Sequence, residues 1–376
     1  MSTILRGTDV SRFPGCDVVV QLGAARRNTK IRLLQLTDTQ MIDASQRRTP
    51  ERLRPDEIAA WDAANMDAQC GSHIRSVIAQ SRPDLIFLTG DITYGSFDDT
   101  GSSLVWFCRL MEEFGIPWAP VFGNHDNESR RGVNWQCAQF EESAHCLFVR
   151  GNVTGNGNYT VGIAAGDELI RVLHMTDSCG CRGAEGPGVK HTPGIYPDQA
   201  ARIAAASARI EAAEGRRVPA FFACHIPTAE FRRAEEEKGY CTADRQQYSV
   251  GVDFPAQDGD FGSKLEFYSP IQTDERFLSM LKACAVDGVF FGHCHRISAS
   301  ILWEGIRWTF GLKTGQYDYH LPGMNGGTLV MLEGDSFDVM HVPSLSPLSP
   351  YPGGGFIFER FFAAGTVIEK QIAEEG

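Results

Sequence analysis

Short apolar runs recur along the chain, and several of them end directly on a polar residue that can bind metal. Four such runs predict buried strands that lead into Asp38, Asp91, His225 and His293: LLQLTD, LIFLTGD, PAFFACH and GVFFGHCH. A fifth, shorter run, PWAPVF, precedes the turn GNHD. Because the carboxyl ends of parallel strands meet at one edge of a sheet, this repetition predicts a metal site at that edge.

Strands and helices alternate in the first part of the chain, and strands dominate later. The pattern predicts helices over 54–80, 102–114, 133–144, 198–214 and 277–285. It predicts strands at 18–22, 31–36, 85–89, 118–122, 159–163, 169–175, 218–223 and 288–291, and then a late meander at 297–303, 306–312, 327–332 and 337–342. This order is typical of an α/β (α+β) protein in which two packed sheets are flanked by helices.

We expect one domain over residues 1–345, with its core at 31–333. Residues 228–270 are polar, charged and weakly periodic, which predicts an excursion over the site that acts as a lid or a specificity loop. Residues 344–355 are rich in Pro, Gly and Ser, and we expect 346–376 to form a C-terminal extension that packs on the core.

Composition excludes several classes of protein. The 376 residues are 43% hydrophobic and 22% charged, which is enough to bury a large core. The net charge of -12 opposes binding to nucleic acid or an anionic membrane, and no apolar run approaches the length of a membrane span. The 11 cysteines are odd in number, irregularly spaced and not preceded by a signal-peptide pattern, so we expect reduced thiols and a cytoplasmic location. These features leave the oligomeric state unpredicted.

Five short motifs occur in a fixed order along the chain. They are Asp38-Thr39-Gln40, Gly90-Asp91, Gly123-Asn124-His125-Asp126, Cys224-His225 and Gly292-His293-Cys294-His295. A single Gly-Asp is more often a turn than a ligand, but GHCH and GNHD are rare by chance. In this order the motifs resemble the calcineurin-like (binuclear) metallophosphoesterase superfamily. That resemblance implies a four-layer αββα sandwich of two mixed sheets flanked by helices.

The resemblance also implies a site for two metal ions. Two cations about 3.5–4 Å apart repel each other, so a carboxylate between them lowers the cost of binding both. Mixed oxygen and nitrogen ligands suit Fe, Mn or Zn. The family pattern falls on Asp38 and His295 for the first metal, Asn124, His225 and His293 for the second, and Asp91 as the bridge.

Hydrolysis of a small phosphorylated substrate is the activity that the resemblance implies, with a phosphomonoester as the first choice. A metal-bridging hydroxide is expected to attack phosphorus while both cations take up the developing charge. The family pattern makes His125 a catalytic residue that assists the leaving oxygen, paired with the following carboxylate, Asp126.

Three alternatives stay open. One is a phosphodiesterase of the same fold, acting on a cyclic nucleotide or a glycerophosphodiester, and another is a degenerate member that binds a phosphorylated ligand without turnover. The third is a nuclease, which the acidic balance opposes. Substrate discrimination is expected in 180–197, 228–270 and 313–323. His191 and His320 lie in Gly/Pro-rich loops and are candidate substrate contacts.

The first motif departs from the family pattern, which is Asp-x-His. Position 40 is Gln, a neutral and weaker ligand, and this is the support for the degenerate alternative. Purple acid phosphatases use a Tyr in Gly-Asp-x-x-Tyr instead, and Tyr94 stands at that position. Gln40 and Tyr94 are therefore further candidate ligands, and a tyrosinate would favour Fe(III) at the first site. The alternative is that Tyr94 only packs beside the site.

Three segments, RPDLIFLTGDITYG, VFGNHDNE and FFACHIPTAEF, resemble the intracellular branch of purple-acid-phosphatase-like members. The resemblance extends over roughly residues 31–333.

Overall fold

Two mixed β-sheets, a two-stranded sheet and seven α-helices lie in the part of the chain that the computed structural model describes, residues 2–59, 61–180, 191–321 and 323–345. The strands are β1 (Thr3–Leu5), β2 (Val18–Leu22), β3 (Ile31–Leu36), β4 (Leu85–Thr89), β5 (Trp118–Val121), β6 (Tyr159–Ala165), β7 (Glu168–Met175), β8 (Ala220–Ala223), β9 (Tyr248–Ser249), β10 (Ser263–Lys264), β11 (Val286–Phe291), β12 (Ser300–Trp303), β13 (Ile306–Phe310), β14 (Gly326–Glu333) and β15 (Ser336–Pro343). The helices are α1 (Pro55–Ala59), α2 (Ser72–Ser81), α3 (Ser102–Glu113), α4 (Val133–Glu142), α5 (Pro197–Glu214), α6 (Ala229–Glu237) and α7 (Phe277–Ala283).

The larger sheet has the strand order β1-β2-β6-β7-β8-β11-β13-β12, and the smaller has the order β15-β14-β3-β4-β5. Strands β3, β4 and β5 are parallel in the smaller sheet. Strands β7, β8, β11 and β13 are parallel in the larger one. Strands β9 and β10 pair separately. The fold class predicted from the sequence is confirmed.

Alternating side chains of the larger sheet build two different cores. Val18 and Val20 of β2 join the core between the sheets, whereas Val19 joins the core beneath the outer helices. This is the period of two that a strand buried on both faces requires. Across the sandwich, the rings of Phe87 in β4 and Phe290 in β11 lie 5.3 Å apart, which places the two sheets in direct contact.

Helices cover the outer face of each sheet. Helix α2 contacts β3, β14 and β15, while α5, α6 and α7 contact β7, β12 and β11 of the larger sheet. The Ala-rich α5 begins with Pro197 in its first turn and ends at Gly215 with φ 66°, the usual asymmetry of helix ends. The layers are therefore helix, sheet, sheet and helix.

Two predictions about elements were wrong. The long helix expected over 54–80 is divided into α1 and α2, because Asp62 accepts a hydrogen bond from Ala64 N and starts a separate short turn. The four late strands do not form one meander: β12 pairs with β13 in the larger sheet, and β14 pairs with β15 in the smaller. The short edge strand β1 was not predicted.

The expected division into a domain over 1–345 and an extension over 346–376 stays a prediction, because 346–376 lies outside the described residues. Among those that are described, no helix has the length and apolar character needed to cross a membrane.

Candidate metal centre

Strands from both sheets bring the motif residues to one end of the sandwich. Strands β3, β4 and β5 end there in the smaller sheet, and β8 and β11 end there in the larger. Each is followed within a few residues by a candidate ligand. The site therefore lies between two sheets, whereas the sequence pattern predicted the edge of one.

Four side chains define what we call the second position: Asp91, Asn124, His225 and His293. His225 Nε2 lies 3.2 Å from Asp91 Oδ2, 3.1 Å from Asn124 Oδ1 and 3.3 Å from His293 Nδ1. Among the described residues, Asp91, His225 and His293 form the one group of three carboxylate, imidazole or thiol side chains whose ligand atoms all lie within 4.8 Å of one another. These donors are already assembled for a cation.

Asp38 and His295 define what we call the first position. His295 Nε2 lies 3.2 Å from Asp38 Oδ1. Asp38 is fully buried, and its Oδ1 atom accepts no hydrogen bond from any described residue. Its other oxygen accepts from Thr37 Oγ1 at 2.7 Å and from His293 N at 2.9 Å. A buried carboxylate oxygen without a donor is costly, and a bound cation would remove that cost, so these residues fit a metal ion.

The backbone of the ligand loops is unusual. Asp38, Asp91 and His293 have φ values of 49°, 49° and 73°, a region that residues other than glycine seldom adopt. The glycines of the motifs allow close approach. A Cβ on Gly123 would lie 2.2 Å from Asp91 Oδ1, and a Cβ on Gly292 would lie 2.1 Å from Thr37 Oγ1. The glycines are therefore required by the crowding of the site.

Hydrogen bonds to the backbone set the orientation of two imidazoles. His225 Nδ1 donates to Thr89 O at 2.7 Å, and His295 Nδ1 donates to Tyr319 O at 2.7 Å. Each ring is thereby left with Nε2 facing the carboxylates. Outer contacts of this kind fix the ring and its tautomer in metal sites.

Charge in the site comes from contacts between carboxylates and imidazoles. Burial opposes ionisation of Asp91, but the imidazoles of His225 and His125 outweigh it and hold the pKa of Asp91 far below its usual range. Burial also opposes protonation of His225, but Asp91 and Asp38 raise its pKa to about 9. Burial and the neighbouring His225 lower the pKa of His293 to about 3. The carboxylates thus attract positive charge into the cluster, which a bound cation would supply.

His125 is paired with a different carboxylate from the one predicted. Its Nδ1 lies 2.8 Å from Glu128 Oε2. The Asp126 carboxylate instead accepts from the backbone N–H groups of Gly123 and Thr93, each at 2.8 Å. The prediction of a His125–Asp126 pair was therefore wrong. A residue directly after His125 in a tight turn points away from it, whereas Glu128, three residues on, lies on the same side of the short helical turn over Asp126–Glu128.

The two further candidate ligands are both engaged with cationic side chains. Gln40 Oε1 accepts from Lys313 Nζ at 2.7 Å, and the hydroxyl of Tyr94 accepts from Arg52 at 2.8 Å. Burial and the carboxylate of Asp318 raise the pKa of Tyr94, which disfavours the phenolate.

A cavity of about 290 Å³ opens above the candidate ligands. Arg52 lies in its wall, held by Asp318, with its guanidinium 5.5 Å from the ring centre of Tyr319. Residues 266–269 of the excursion form the other wall, and Phe267 is 71% exposed. The complete lining is Arg52, Asp91, Asn124, His125, Glu266, Phe267, Tyr268, Ser269, His293, Cys294, His295 and Tyr319.

The two histidines predicted as substrate contacts do not line this cavity. His320 is buried, and its Nδ1 lies 3.1 Å from Asp318 O. The His191 ring packs against Tyr196. Most of the loop over 180–197 lies outside the described residues, so its role in discrimination stays a prediction.

Five further residues surround the site: Arg52 and Glu128 were not predicted, and Lys313, Asp318 and Tyr319 were predicted only as part of the segment 313–323. Two of them had a local signal. Glu128 follows His125 at helical spacing, and Lys313 follows β13, which is parallel to β11 and so ends at the same edge. Arg52 and Asp318 are 266 positions apart, and no local pattern relates them.

Comparison with known proteins agrees with this geometry. Residues 31–184 match the model of the calcineurin-like phosphoesterase family. "Probable inactive purple acid phosphatase 28" of Arabidopsis thaliana is 49% identical over 57 residues, 15% of this chain and 14% of that protein. "Phosphatase DCR2" of Saccharomyces cerevisiae is 28% identical over 137 residues, 33% of this chain and 23% of that protein. The chain thus matches less than a quarter of the length of these relatives.

The fold has a solved counterpart. A dimetal phosphatase from Danio rerio aligns with 84% of this chain and 96% of its own, with 13% identity and a TM-score of 0.51, which is a likeness of fold alone. Residues 31–184 therefore match the calcineurin-like phosphoesterase family in sequence, and the motif order and the two-sheet sandwich agree with that match.

Proposed function

We propose that this protein is a metal-dependent phosphoester hydrolase that acts on small phosphomonoesters. The observation that carries the proposal is the convergence of six donor side chains beside a cavity that also exposes an imidazole, His125. A cavity of about 290 Å³ is close to the size of small-molecule binding sites.

Asp38, His295 and the shared Asp91 would hold one cation, and Asn124, His225, His293 and Asp91 would hold the other. Two bound cations would supply a nucleophilic water at neutral pH and neutralise charge on the phosphoryl group.

His125 is positioned to move a proton to the leaving oxygen. Its Nδ1 is engaged by Glu128, so Nε2 is the atom that can act on a substrate in the cavity. Burial disfavours the protonated ring, but Asp91 and Glu128 outweigh burial and raise the pKa of His125. A protonated imidazole can give its proton to a departing alkoxide.

Arg52 is the other cationic side chain that we assign to substrate binding. Its guanidinium is held by Asp318 and faces the cavity beside Tyr319. Guanidinium matches the geometry of phosphoryl oxygens and can bind two of them at once. The neighbouring Tyr268, Phe267 and Tyr319 offer apolar surface to the alcohol portion of the ester.

Binding of a phosphorylated ligand without turnover is the second candidate. Two observations favour it: Gln40 replaces the usual imidazole and faces Lys313, and a curated relative carries the word "inactive" in its name. The presence of His125 with its carboxylate partner favours turnover, since binding alone does not need a proton donor.

The test is hydrolysis of p-nitrophenyl phosphate by the full chain loaded with Mn²⁺, Fe²⁺ or Zn²⁺, with bis-p-nitrophenyl phosphate as the diester probe. We expect metal-dependent turnover of the monoester, and we expect His125→Ala to lower kcat by about 10²–10⁴-fold with bound metal unchanged. His145→Asn is the control, because its imidazole lies beside Glu112 near the amino end of β5.

No turnover of either ester, with two metals bound, would replace the hydrolase by the binding protein. Preference for the diester would move the substrate class to phosphodiesters.

A further inference from the structure

We propose that the two metal positions differ strongly in affinity, because Lys313 holds Gln40 away from the first position and leaves it short of a ligand. The second position binds its ion tightly, and the first binds an exchangeable ion. The inference rests on the proposed two-metal centre but not on turnover.

Gln40 is buried, and its amide is oriented by its neighbours. The Lys313 ammonium has hydrogen-bond donors and no acceptor, so the atom 2.7 Å from Nζ has to be the amide oxygen. The amide nitrogen then faces Asp91 Oδ2 at 3.5 Å. An amide nitrogen has no lone pair to offer a cation, and the oxygen is turned to the lysine. In this arrangement the Gln40 oxygen is engaged by Lys313, and the atom that Gln40 turns to Asp91 cannot act as a ligand.

Lys313 is itself firmly held. It is 2% exposed, and its Nζ also donates to the main-chain oxygen of Asp38 at 2.9 Å. One side chain thus bridges the carbonyl of Asp38 and the amide of Gln40, on both sides of Thr39.

The two positions differ in how many donors are assembled. At the second position, His225 Nε2 lies within 3.3 Å of a ligand atom of Asp91, Asn124 and His293. At the first position, Asp38 and His295 face each other, the proposed ligand Asp91 is shared with the second position, and the hydroxyl of the further candidate Tyr94 accepts from Arg52. Fewer protein ligands leave coordination sites to solvent and weaken the binding of the ion.

The experiment is a calorimetric titration of Mn²⁺ into the chelator-treated full chain. We expect two binding steps, with dissociation constants at least about tenfold apart. His225→Ala should remove the tight step, and His295→Ala should remove the weak one. Lys313→Met, which removes the donor to Gln40 and frees its amide oxygen, should tighten the weak step by about 10–100-fold and leave the tight step unchanged.

Two further variants keep the test specific. Gln40→His restores the imidazole that the Asp-x-His pattern has at position 40. This variant should tighten the weak step even if Lys313→Met does not fold. Lys282→Met removes one positive charge on the outer helix α7, where Lys282 pairs with Glu304, and it should leave both steps unchanged.

The proposal is overturned by two steps of equal affinity in the parent chain, by a single step, or by a weak step that neither Lys313→Met nor Gln40→His tightens. Two unequal steps without ester hydrolysis would uphold this inference and refute the proposed function. Ester hydrolysis together with two Mn²⁺ binding steps of equal affinity would support the proposed function and refute this inference.

Discussion

At the scale of single residues, small changes of direction decide which side chain acts. Asp126 and Glu128 are two residues apart, yet one carboxylate is bonded to backbone amides and the other to the imidazole of His125. Gln40 occupies the place of a usual ligand, yet its oxygen faces a lysine. The type of residue at a motif position therefore does not settle its role.

The two carboxylates should respond differently to the same loss of charge. Glu128→Gln should lower kcat roughly tenfold, less than loss of the general acid itself, with KM and bound metal nearly unchanged, because it weakens the hold on His125. Asp126→Asn should instead lower the free energy of unfolding by about 1–3 kcal/mol, because an amide cannot accept from all the donors that the carboxylate does.

Steady-state kinetics and urea unfolding of both variants make this comparison. The opposite result would be an unchanged kcat in Glu128→Gln and a lower kcat with unchanged stability in Asp126→Asn. That result would support the His125–Asp126 pair expected from the sequence.

At the scale of elements, the excursion over 228–270 is more ordered than its polar sequence predicted. It contains α6, β9 and β10, and its residues 266–269 form a wall of the cavity. Lys264 is 1% exposed and lies 3.0 Å from Glu235, which also accepts from the hydroxyl of Tyr268 at 2.8 Å. This buried pair connects β10 to α6 within the excursion, and the Tyr268 hydroxyl attaches the cavity wall to the same carboxylate.

Lys264→Met should destabilise the excursion, because it leaves the Glu235 carboxylate buried without its cation. Loss of one partner of a buried pair costs about 3–5 kcal/mol. Hydrogen exchange should rise over residues 229–268, while β3 and β4 stay protected, and KM should rise because Tyr268 lines the cavity.

The matched control is Arg245→Met, which breaks the exposed pair with Asp253 in the same segment and should cost less than about 1 kcal/mol. Equal hydrogen exchange over residues 229–268 in Lys264→Met and Arg245→Met would show that the buried pair does not stabilise the excursion.

At the scale of the whole molecule, buried polar side chains connect the two sheets in addition to the apolar core. His341 of β15 is fully buried, and its Nε2 lies 2.6 Å from the main-chain oxygen of Ser298 on the chain that leads into β12. Arg171 of β7 is also fully buried; it donates to Asp287 and to the main-chain oxygen of Asp335 before β15. The stability of the sandwich therefore depends on the protonation state of these buried side chains.

The buried histidines predict loss of stability in acid. Burial lowers the pKa of His341 to about 4 and that of His174 to about 3, against about 6.5 in an unfolded chain. Below about pH 6.5 the unfolded state therefore binds protons that the folded state does not. The stabilising contribution of each group is present above that pH and is lost as the pH falls towards the folded pKa. For His341 the loss is about 2 kcal/mol at about pH 5.

Urea unfolding at a series of pH values between about pH 7 and about pH 5 measures how steeply the free energy of unfolding falls with pH. His341→Gln, whose amide can still donate to Ser298, should be less stable at neutral pH and less sensitive to acid. If the free energy of unfolding of His341→Gln fell with pH as steeply as that of the parent protein, His341 would be excluded as a source of acid sensitivity.

Local pattern was sufficient for most strands and for the position of each candidate ligand. An apolar run that ends on a turn commits the chain to a strand and its last residues to a sheet edge, whatever the rest of the fold does. The strands leading to Asp38, Asp91 and His225 were predicted within two residues of their observed bounds for this reason. Pairing was less predictable, because whether β14 joins β13 or β3 depends on burial in the assembled sandwich.

The sequence by itself determined the fold class and most of the strands, because these depend on apolar periodicity, and its motif order was enough to propose six ligands. Only the tertiary structure decided that His125 meets Glu128, that Gln40 turns to Lys313 and that Arg52 reaches the cavity. The physical reason is that the direction of a side chain after a turn depends on backbone torsion and on charged neighbours. Lys313 and Gln40, 273 positions apart, become neighbours only when the two sheets close on each other.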